Sequence, residues 1–407
     1  MTEQIKESKF KFQTSALRAY TMIAALGLIW VFFHYATAQN TPAFSDFSNH
    51  FASFFNFEWI REGIFLSSRN LSNLMLQTSV TGIIAVGMLM VIVAGQIDLS
   101  VGSVLGLAGG IAAIALTNYN YGFVPAIILA IVVGVAIGIF HGVLVAYANI
   151  PAFIVTLGGL LAWRGAVKAV TGSETVPIAD ATFKSIGQNY VAPQLGWILA
   201  GAGVLFVLAV AFRRVQTQKT YGLGEANIGG ELVRAILPVG AIIVFIYVMN
   251  SYKGIPIPVM ILLAVALLGV FITNFTTFGR YLYAIGGNAD AARLSGINTK
   301  RNILKVYALL GALTGVAALI FTARVGSASP DAGTLKELDA IAACVIGGAS
   351  LMGGRGTIFG ACLGALIMAS LDNGMSLLNV KDFMQDIIKG AILVAAVGLD
   401  MLGRRQS

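Results

Sequence analysis

Long apolar segments recur along the whole chain, separated by short polar, charged or glycine-rich intervals. Many approach the roughly 20 residues that an α-helix needs to cross a bilayer core. The pattern predicts an all-α, polytopic membrane protein with about 10–12 transmembrane helices. After a first span near the N-terminus, the predicted spans lie near 74–95, 99–117, 124–147, 151–171, 195–212, 234–250, 256–274, 303–322, 339–352, 356–371 and 386–402.

The first apolar run, AYTMIAALGLIWVFFHYATAQN, follows several lysines and ends near Ala36-Thr37-Ala38, which resembles a signal-peptidase site. The run is longer than a secretory apolar core and rich in aromatic residues, which favours an uncleaved span over a cleaved leader. We therefore divide the chain into residues 1–73, with the N-terminus, first span and a polar loop, and a transmembrane domain over 74–402.

Residues 339–352 form a segment too short for a comfortable crossing, which predicts half of a broken or re-entrant element. With the N-terminus inside, most of the 26 Lys and Arg residues fall on the cytoplasmic face. Two passages or a re-entrant pair between 339 and 371 also keep Arg404 and Arg405 inside. IDLSVGSVLGLAGGIAAI and SLMGGRGTIFGACLGALI look alike, which indicates an internal duplication or, alternatively, two unrelated Gly-rich packing helices.

The composition agrees with this topology, since 57% of residues are hydrophobic, 11% are charged and the mean hydropathy is +0.84. The 47 glycines and long unbroken apolar runs favour packed helices over a β-barrel. In a membrane protein the net charge of +8 reflects sidedness, so we expect no nucleic-acid partner. Cys344 and Cys362 lie in apolar segments and are interpreted as buried small residues.

The sequence carries no phosphate-binding loop and no catalytic constellation, so we expect a non-enzyme without a cofactor or metal of its own. Any ATP–Mg must bind a partner. His141, on an apolar helix, is interpreted as a packed, hydrogen-bonded histidine or, alternatively, as pathway lining.

Asp98 is the only Asp, Glu, Lys or Arg between Arg69 and Arg164. Such isolation in membrane sequence indicates function. Asp98 or Ser100 also suits the N-terminus of the following helix, as a cap that accepts its free N–H groups. Three hypotheses follow: fold support by capping, a part in the translocation path, and proton coupling.

Three other positions carry candidate polar chemistry. Asp372 and Asn373 are predicted at the end of the bundle opposite to the cytoplasmic face. There they either contact a hydroxylated solute or form a turn. Arg355, among glycines, is interpreted as an interfacial anchor or, alternatively, as an anion site.

The polar interval from Phe278 to Arg301 lies on the cytoplasmic face. Asn288 is a predicted N-cap, Ala289 to Ser295 a short helix and Gly296 its stop. Ala289, Ala292 and Leu294 are expected to form a small apolar face. Partner docking and a simple interfacial helix are both compatible with this pattern.

Five ordered segments resemble the permease subunits of bacterial sugar ABC importers of the ribose, arabinose, galactose and xylose branch. The segments are TTFGRYLYAIGGNADAARLSGIN, GQIDLSVGSVLGLAGGIAA, IPAFIVTLGGLLAWRG, ELDAIAACVIGGASLMGGRGT and DIIKGAILVAAVGLD. The long N-terminal loop, an apparent two-span insertion at about 195–250 and IMASLDNGMSLLNV are most similar to D-xylose permeases.

The resemblance implies a homodimer in the bacterial inner membrane with both termini cytoplasmic. It also implies a cytoplasmic ATPase, a periplasmic sugar-binding protein and alternating access for a pentose. Within a coupling loop at 275–303, it assigns ATPase docking to Asn288, Ala289, Asp290, Ala291, Ala292, Arg293, Leu294, Ser295 and Gly296. Asp98, Ser100, Asp372 and Asn373 are the candidates for the path or its gate. Permeases for other sugars, a proton-coupled symporter using Asp98 and a membrane enzyme or scaffold are the alternatives.

Overall fold

The structure, a computed structural model, describes residues 20–38, 59–221 and 228–404, and these are almost entirely helical. The middle of the predicted polar loop, residues 39–58, lies outside the described residues. The helices are α1 (Tyr20–Ala36), α2 (Trp59–Glu62), α3 (Ser68–Val93), α4 (Val101–Thr117), α5 (Phe123–Ala146), α6 (Ala152–Thr171), α7 (Ala181–Gln188), α8 (Pro193–Tyr221), α9 (Ile228–Asn250), α10 (Ile257–Phe275), α11 (Thr277–Gly287), α12 (Ala289–Leu294), α13 (Thr299–Val325), α14 (Lys336–Ile346), α15 (Ile358–Leu377) and α16 (Asp382–Arg404).

Two short antiparallel strand pairs mark one end of the helix bundle, which we call the strand end. β1 (Val176–Pro177) pairs with β4 (Ser327–Ala328), and β2 (Tyr190–Val191) pairs with β3 (Ile255–Pro256). The opposite end, called the loop end, carries α11 and α12. Successive long helices run between these two ends, as expected for a polytopic bundle.

Among the described residues, eight helices are long and apolar enough to cross a membrane: α3, α5, α6, α8, α9, α10, α13 and α15. The apolar helices α1 and α4 are shorter. The all-α, polytopic architecture predicted from the apolar runs is thus confirmed. Helix α16 covers the predicted span 386–402 but does not belong to the eight, and it contains charged residues such as Asp382, Asp386 and Lys389.

The segment predicted at 339–352 is an 11-residue helix, α14, followed by a glycine-rich turn over 347–357. At about 1.5 Å per residue, this helix covers roughly half of a bilayer core. The turn completes the passage, since Gly354 N donates to Val93 O at the loop end over 2.9 Å. The predicted broken element is confirmed, and α15 then returns to the strand end.

Helix α3 is the centre of the bundle, because 94% of its most apolar window is buried, against 28% for α5 and 22% for α6. Helices α13, α15 and α14 pack around it. Helices α5 and α13 approach to backbone contact: a Cβ added to Gly311 would lie 2.1 Å from Gly134 O. Small residues allow such close helix contacts, which stabilise packing where lipid removes the hydrophobic driving force.

Helix α1 packs against α15. Trp30 Nε1 donates to Ser370 Oγ over 2.9 Å, and the buried Phe33 ring occupies the space beside Gly374.

Candidate functional site

The short helix predicted in the coupling loop is present as α12, with the predicted cap and stop; its role in coupling stays a prediction. Asn288 Oδ1 accepts a hydrogen bond from Ala291 N over 2.9 Å, and Gly296 adopts a left-handed φ of 83°. Ser295 is the C-cap, and its hydroxyl donates to Ala291 O over 2.9 Å. The local sequence alone therefore specifies this short helix.

The predicted apolar face of α12 is wrong in its composition. Ala292 packs inward and is 5% exposed, whereas Leu294 is 84% exposed and Ala289 is also exposed. At six residues α12 makes fewer than two turns, so residues two positions apart lie on different sides. Asp290 and Arg293 form a surface ion pair at 3.5 Å. The outer surface of α12 therefore combines an exposed leucine with two exposed charges.

The C-terminal end of α11 packs against two glycine-containing turns, one after α3 and one before α15. A Cβ on Gly286 would lie 1.8 Å from Val93 O and 2.7 Å from Gly354 N. Gly95, just after the end of α3, belongs to the same contact. A Cβ added to Gly95 would lie 3.7 Å from Gly286 Cα. This junction was not predicted, although the paired glycines of IGGN and MGGRG were its signal in the sequence.

Tyr283 adds a side-chain bond to the junction. Its hydroxyl donates to Gly356 O over 2.8 Å. Burial raises the pKa of Tyr283, so its hydroxyl keeps the proton that this bond needs. Helix α11 is therefore attached directly to the turns that precede α4 and α15.

Asp98 and Ser100 lie together in the interior at the start of α4. Asp98 is 4% exposed, and its Oδ1 accepts from Ser100 N over 2.7 Å and from Ser100 Oγ over 2.6 Å. The capping hypothesis needs correction, because Ser100 holds the N-cap position without a side-chain bond to the first turn. Asp98 instead closes a local turn just before the helix.

His141 is the third member of this group. Its Nδ1 lies 3.7 Å from Asp98 Oδ2 and 3.4 Å from Ser100 Oγ, while its Nε2 accepts from Trp163 Nε1 over 3.0 Å. An indole N–H only donates, so Nε2 is the acceptor in this bond and Nδ1 is the ring nitrogen that faces Asp98 and Ser100. The hydrogen-bonded, packed interpretation of His141 describes this arrangement.

A cavity of about 10 Å³ adjoins Asp98 and His141. Gly138, Gly311 and Thr314 contribute to its walls. Its size matches about one water molecule. A pentose does not fit in it, so this part of the molecule is closed in the described conformation.

Asp372 and Asn373, which are adjacent in sequence, have separate partners. Asp372 Oδ1 forms an ion pair with Lys389 Nζ at 2.7 Å. Lys389 also lies 3.7 Å from Asp339, which pairs with Lys336 at 2.6 Å. These four residues, which we call the four-charge cluster, link α14, α15 and α16 near the strand end. Lys336, Asp339 and Lys389 were not among the sequence candidates.

Asn373 faces α3 instead. Its Oδ1 accepts from Asn70 Nδ2 over 2.8 Å, and its Nδ2 donates to Asn70 Oδ1 over 3.1 Å. Both amides are buried. This reciprocal pair uses the amide of Asn373 for helix packing, so the structure does not bring Asn373 to the site of Asp98.

Further polar side chains tie loops to helices. Arg164 donates to Ala332 O over 2.7 Å and to Pro330 O over 3.2 Å.

The side chain of Arg355 is exposed at the loop end, as its interfacial interpretation requires. Cys344 is a buried free thiol whose Sγ donates to Ala85 O over 3.4 Å. The described residues contain no group of three or more His, Cys, Asp or Glu that could hold a metal.

Residues 70–397 match the family described as the permease component of branched-chain amino acid transport systems. The chain belongs to this permease family. It is a transport component of the membrane and not an enzyme, in agreement with the helices described above.

Individual relatives are named for sugars. The chain is 44% identical over 398 residues to the xylose transport system permease protein of Haemophilus influenzae, covering 98% of this chain and 100% of that protein. It is 46% identical over 355 residues to the xylose permease of Escherichia coli, covering 86% and 89%. The ribose import permease of Escherichia coli is 37% identical over 336 residues, covering 83% and 87%. No solved structure matches the chain significantly.

Proposed function

We propose that this permease is the membrane subunit of an ATP-driven, binding-protein-dependent importer of D-xylose. The observation that carries the proposal is the similarity to a xylose permease along 98% of the chain. The identity to the ribose permease is lower, at 37%, so ribose is the second candidate. Arabinose and galactose follow on the family resemblance alone.

The partners follow from the two ends of the bundle. The loop end faces the cytoplasm together with both termini, and α12 docks on an ATPase that carries ATP–Mg. The strand end receives the sugar from a periplasmic binding protein, and a second copy of the chain completes the pathway. The exposed Leu294 and the Asp290–Arg293 pair support the docking assignment.

A short route connects α12 to the membrane core. Gly286 of α11 contacts Val93 and Gly354. Val93 is followed by the turn that leads into α4, and Gly354 lies in the turn that leads into α15. A displacement of α12 therefore acts on both turns at once, because backbone contacts this close leave no room for slack. The permease then alternates between a state that is closed at Asp98 and a state that is open there. ATP and sugar each shift this equilibrium by binding one state more tightly than the other.

Uptake of labelled D-xylose into proteoliposomes tests the function. The vesicles contain the permease with its ATPase facing the lumen. ATP is enclosed in the lumen, and the sugar-binding protein is added outside. We expect uptake that requires ATP and continues after a protonophore collapses the proton gradient. Uptake that follows the proton gradient without ATP would support the symporter instead, and the absence of any flux would support a scaffold.

Substitutions in α12 test the coupling. Arg293→Glu reverses the charge of the docking surface, and Ala291→Pro removes the N–H that Asn288 caps. We expect each to reduce sugar-stimulated ATP hydrolysis about tenfold, because a central interface residue is commonly worth more than 1 kcal/mol. Lys381→Glu, a charge reversal at an exposed lysine of the strand end and outside the coupling loop, is the control. Normal stimulation in both α12 variants would remove the coupling role.

A further inference from the structure

The α8–α9 hairpin is the most exposed pair of spans among the described helices. The apolar windows of α8 and α9 are 11% and 17% buried. Residues that do pack into the bundle, such as Ala200, Ile246 and Met249, belong to the strand-end half of the hairpin. The half near the loop end therefore presents its surface to the surrounding lipid.

A groove of about 190 Å³ lies in this outer half, lined by α8 and α9 alone. Phe206, Val210 and Pro238 form apolar walls. Arg214, Glu231 and Arg234 form the polar rim. Arg214 lies seven residues before the end of α8, about 10 Å along the helix. An arginine side chain can extend from such a position near a helix end toward the headgroup region.

The rim has a net positive charge. Glu231 is 5% exposed and forms ion pairs with Arg234 and, at 3.9 Å, with Arg214. Both arginine side chains remain largely exposed, at 62% for Arg214 and 71% for Arg234. A guanidinium has five N–H donors, so each arginine keeps donors free after pairing with this one carboxylate.

We propose that this groove binds an anionic phospholipid, with its phosphate on Arg214 and Arg234 and an acyl chain along Phe206 and Pro238. Arginine pairs bind phosphate oxygens by charge-assisted hydrogen bonds. The apolar walls continue from the rim toward the bilayer core, and that order of polarity matches an amphiphile. A free phosphate satisfies the rim and leaves the walls without a ligand. Basic grooves between helices at the cytoplasmic side are suited to anionic headgroups.

Native mass spectrometry of the full-length permease in detergent tests the proposal, with phosphatidylglycerol, phosphatidylcholine or inorganic phosphate as probes. We expect retained phosphatidylglycerol, little phosphatidylcholine, and no displacement by inorganic phosphate at equal concentration. Arg214→Gln with Arg234→Gln should reduce phosphatidylglycerol binding about tenfold or more, since each charged hydrogen bond contributes substantially. Glu231→Gln should increase it, because the rim loses its only carboxylate.

Arg213→Gln is the matched control, since Arg213 is the exposed neighbour of Arg214 and does not line the groove. Equal loss in this control, equal retention of the two lipids, or displacement by phosphate would overturn the proposal. A change of oligomeric state in the double variant with unchanged lipid binding would assign the groove to a second copy and also overturn it. None of these readouts depends on sugar transport, so the result is separate from the proposed function.

Discussion

Two polar groups of this permease, the buried group around Asp98 and the partly buried four-charge cluster, compensate their charges in different ways. Around Asp98, a single carboxylate accepts two hydrogen bonds from Ser100 and lies 3.7 Å from Nδ1 of His141. In the four-charge cluster, Asp339 and Asp372 are paired with Lys336 and Lys389, so the formal charges cancel. The first group depends on hydrogen bonds within a few ångströms, whereas the second depends on ions from three different helices.

The difference shows what isolation of a charge in sequence does and does not reveal. Asp98 attracts attention because no other charge is near it in the chain, yet its Oδ1 is occupied by two local hydrogen bonds. The residues of the four-charge cluster attract less attention, although removing one of them leaves an opposite charge buried without its partner. We therefore expect substitutions in the four-charge cluster to lower the free energy of unfolding more than substitutions around Asp98.

The largest effect is expected from Lys389→Met. This change removes the cation that contacts both Asp339 and Asp372. Breaking a buried ion pair costs about 3–5 kcal/mol. The Lys389 and Asp372 side chains are 19% and 23% exposed, so we expect a loss of about 3 kcal/mol in the free energy of unfolding, at the lower end of that range. Denaturant unfolding of the purified permease in detergent measures it.

Two further variants sharpen that result. Lys381→Met, an exposed lysine at the preceding turn, should change the unfolding free energy by less than about 0.5 kcal/mol. Combining Lys389→Met with Asp372→Asn should recover part of the loss, because the buried charge is then removed with its partner. Full additivity of the two changes would show that the pair has no coupling.

A smaller effect is expected from Asp98. Asp98→Ala leaves the N–H and hydroxyl of Ser100 without their acceptor, which should cost about 2 kcal/mol. Asp98→Asn keeps one oxygen acceptor and should cost about 1 kcal/mol. If Asp98 supports the fold, uptake by the Asn variant stays dependent on ATP and independent of the proton gradient. Loss of uptake with unchanged unfolding stability would instead assign Asp98 to the path.

Local features of the fold could be predicted from the sequence. Apolar runs located the long helices, and Asn288 with Gly296 defined α12, because caps and stops act within a few residues. Helices α8 and α9 extend beyond their predicted bounds of 195–212 and 234–250. The charged residues at their ends hid this extension, since hydropathy marks only the lipid-embedded part.

Long-range pairs could not be predicted in the same way. Asn70 and Asn373 are 303 positions apart, and nothing near either residue identifies the other. Lys336 and Lys389 meet through Asp339, although they belong to different helices. The same reason explains the missed contact of Gly286 with Val93, since a glycine shows neither partner nor direction in sequence.

The smallest effect is expected from Trp163→Phe, which keeps an aromatic ring but removes the N–H that donates to His141 Nε2. Interhelical hydrogen bonds in membrane proteins average about 0.6 kcal/mol, so the unfolding free energy should fall by about that amount. Trp197→Phe, at an exposed tryptophan on α8, is the control and should have no measurable effect. A loss above about 2 kcal/mol in Trp163→Phe would mean that the Asp98 group acts as one cooperative network. It would then resemble the four-charge cluster in sensitivity, and the contrast between the two groups would disappear.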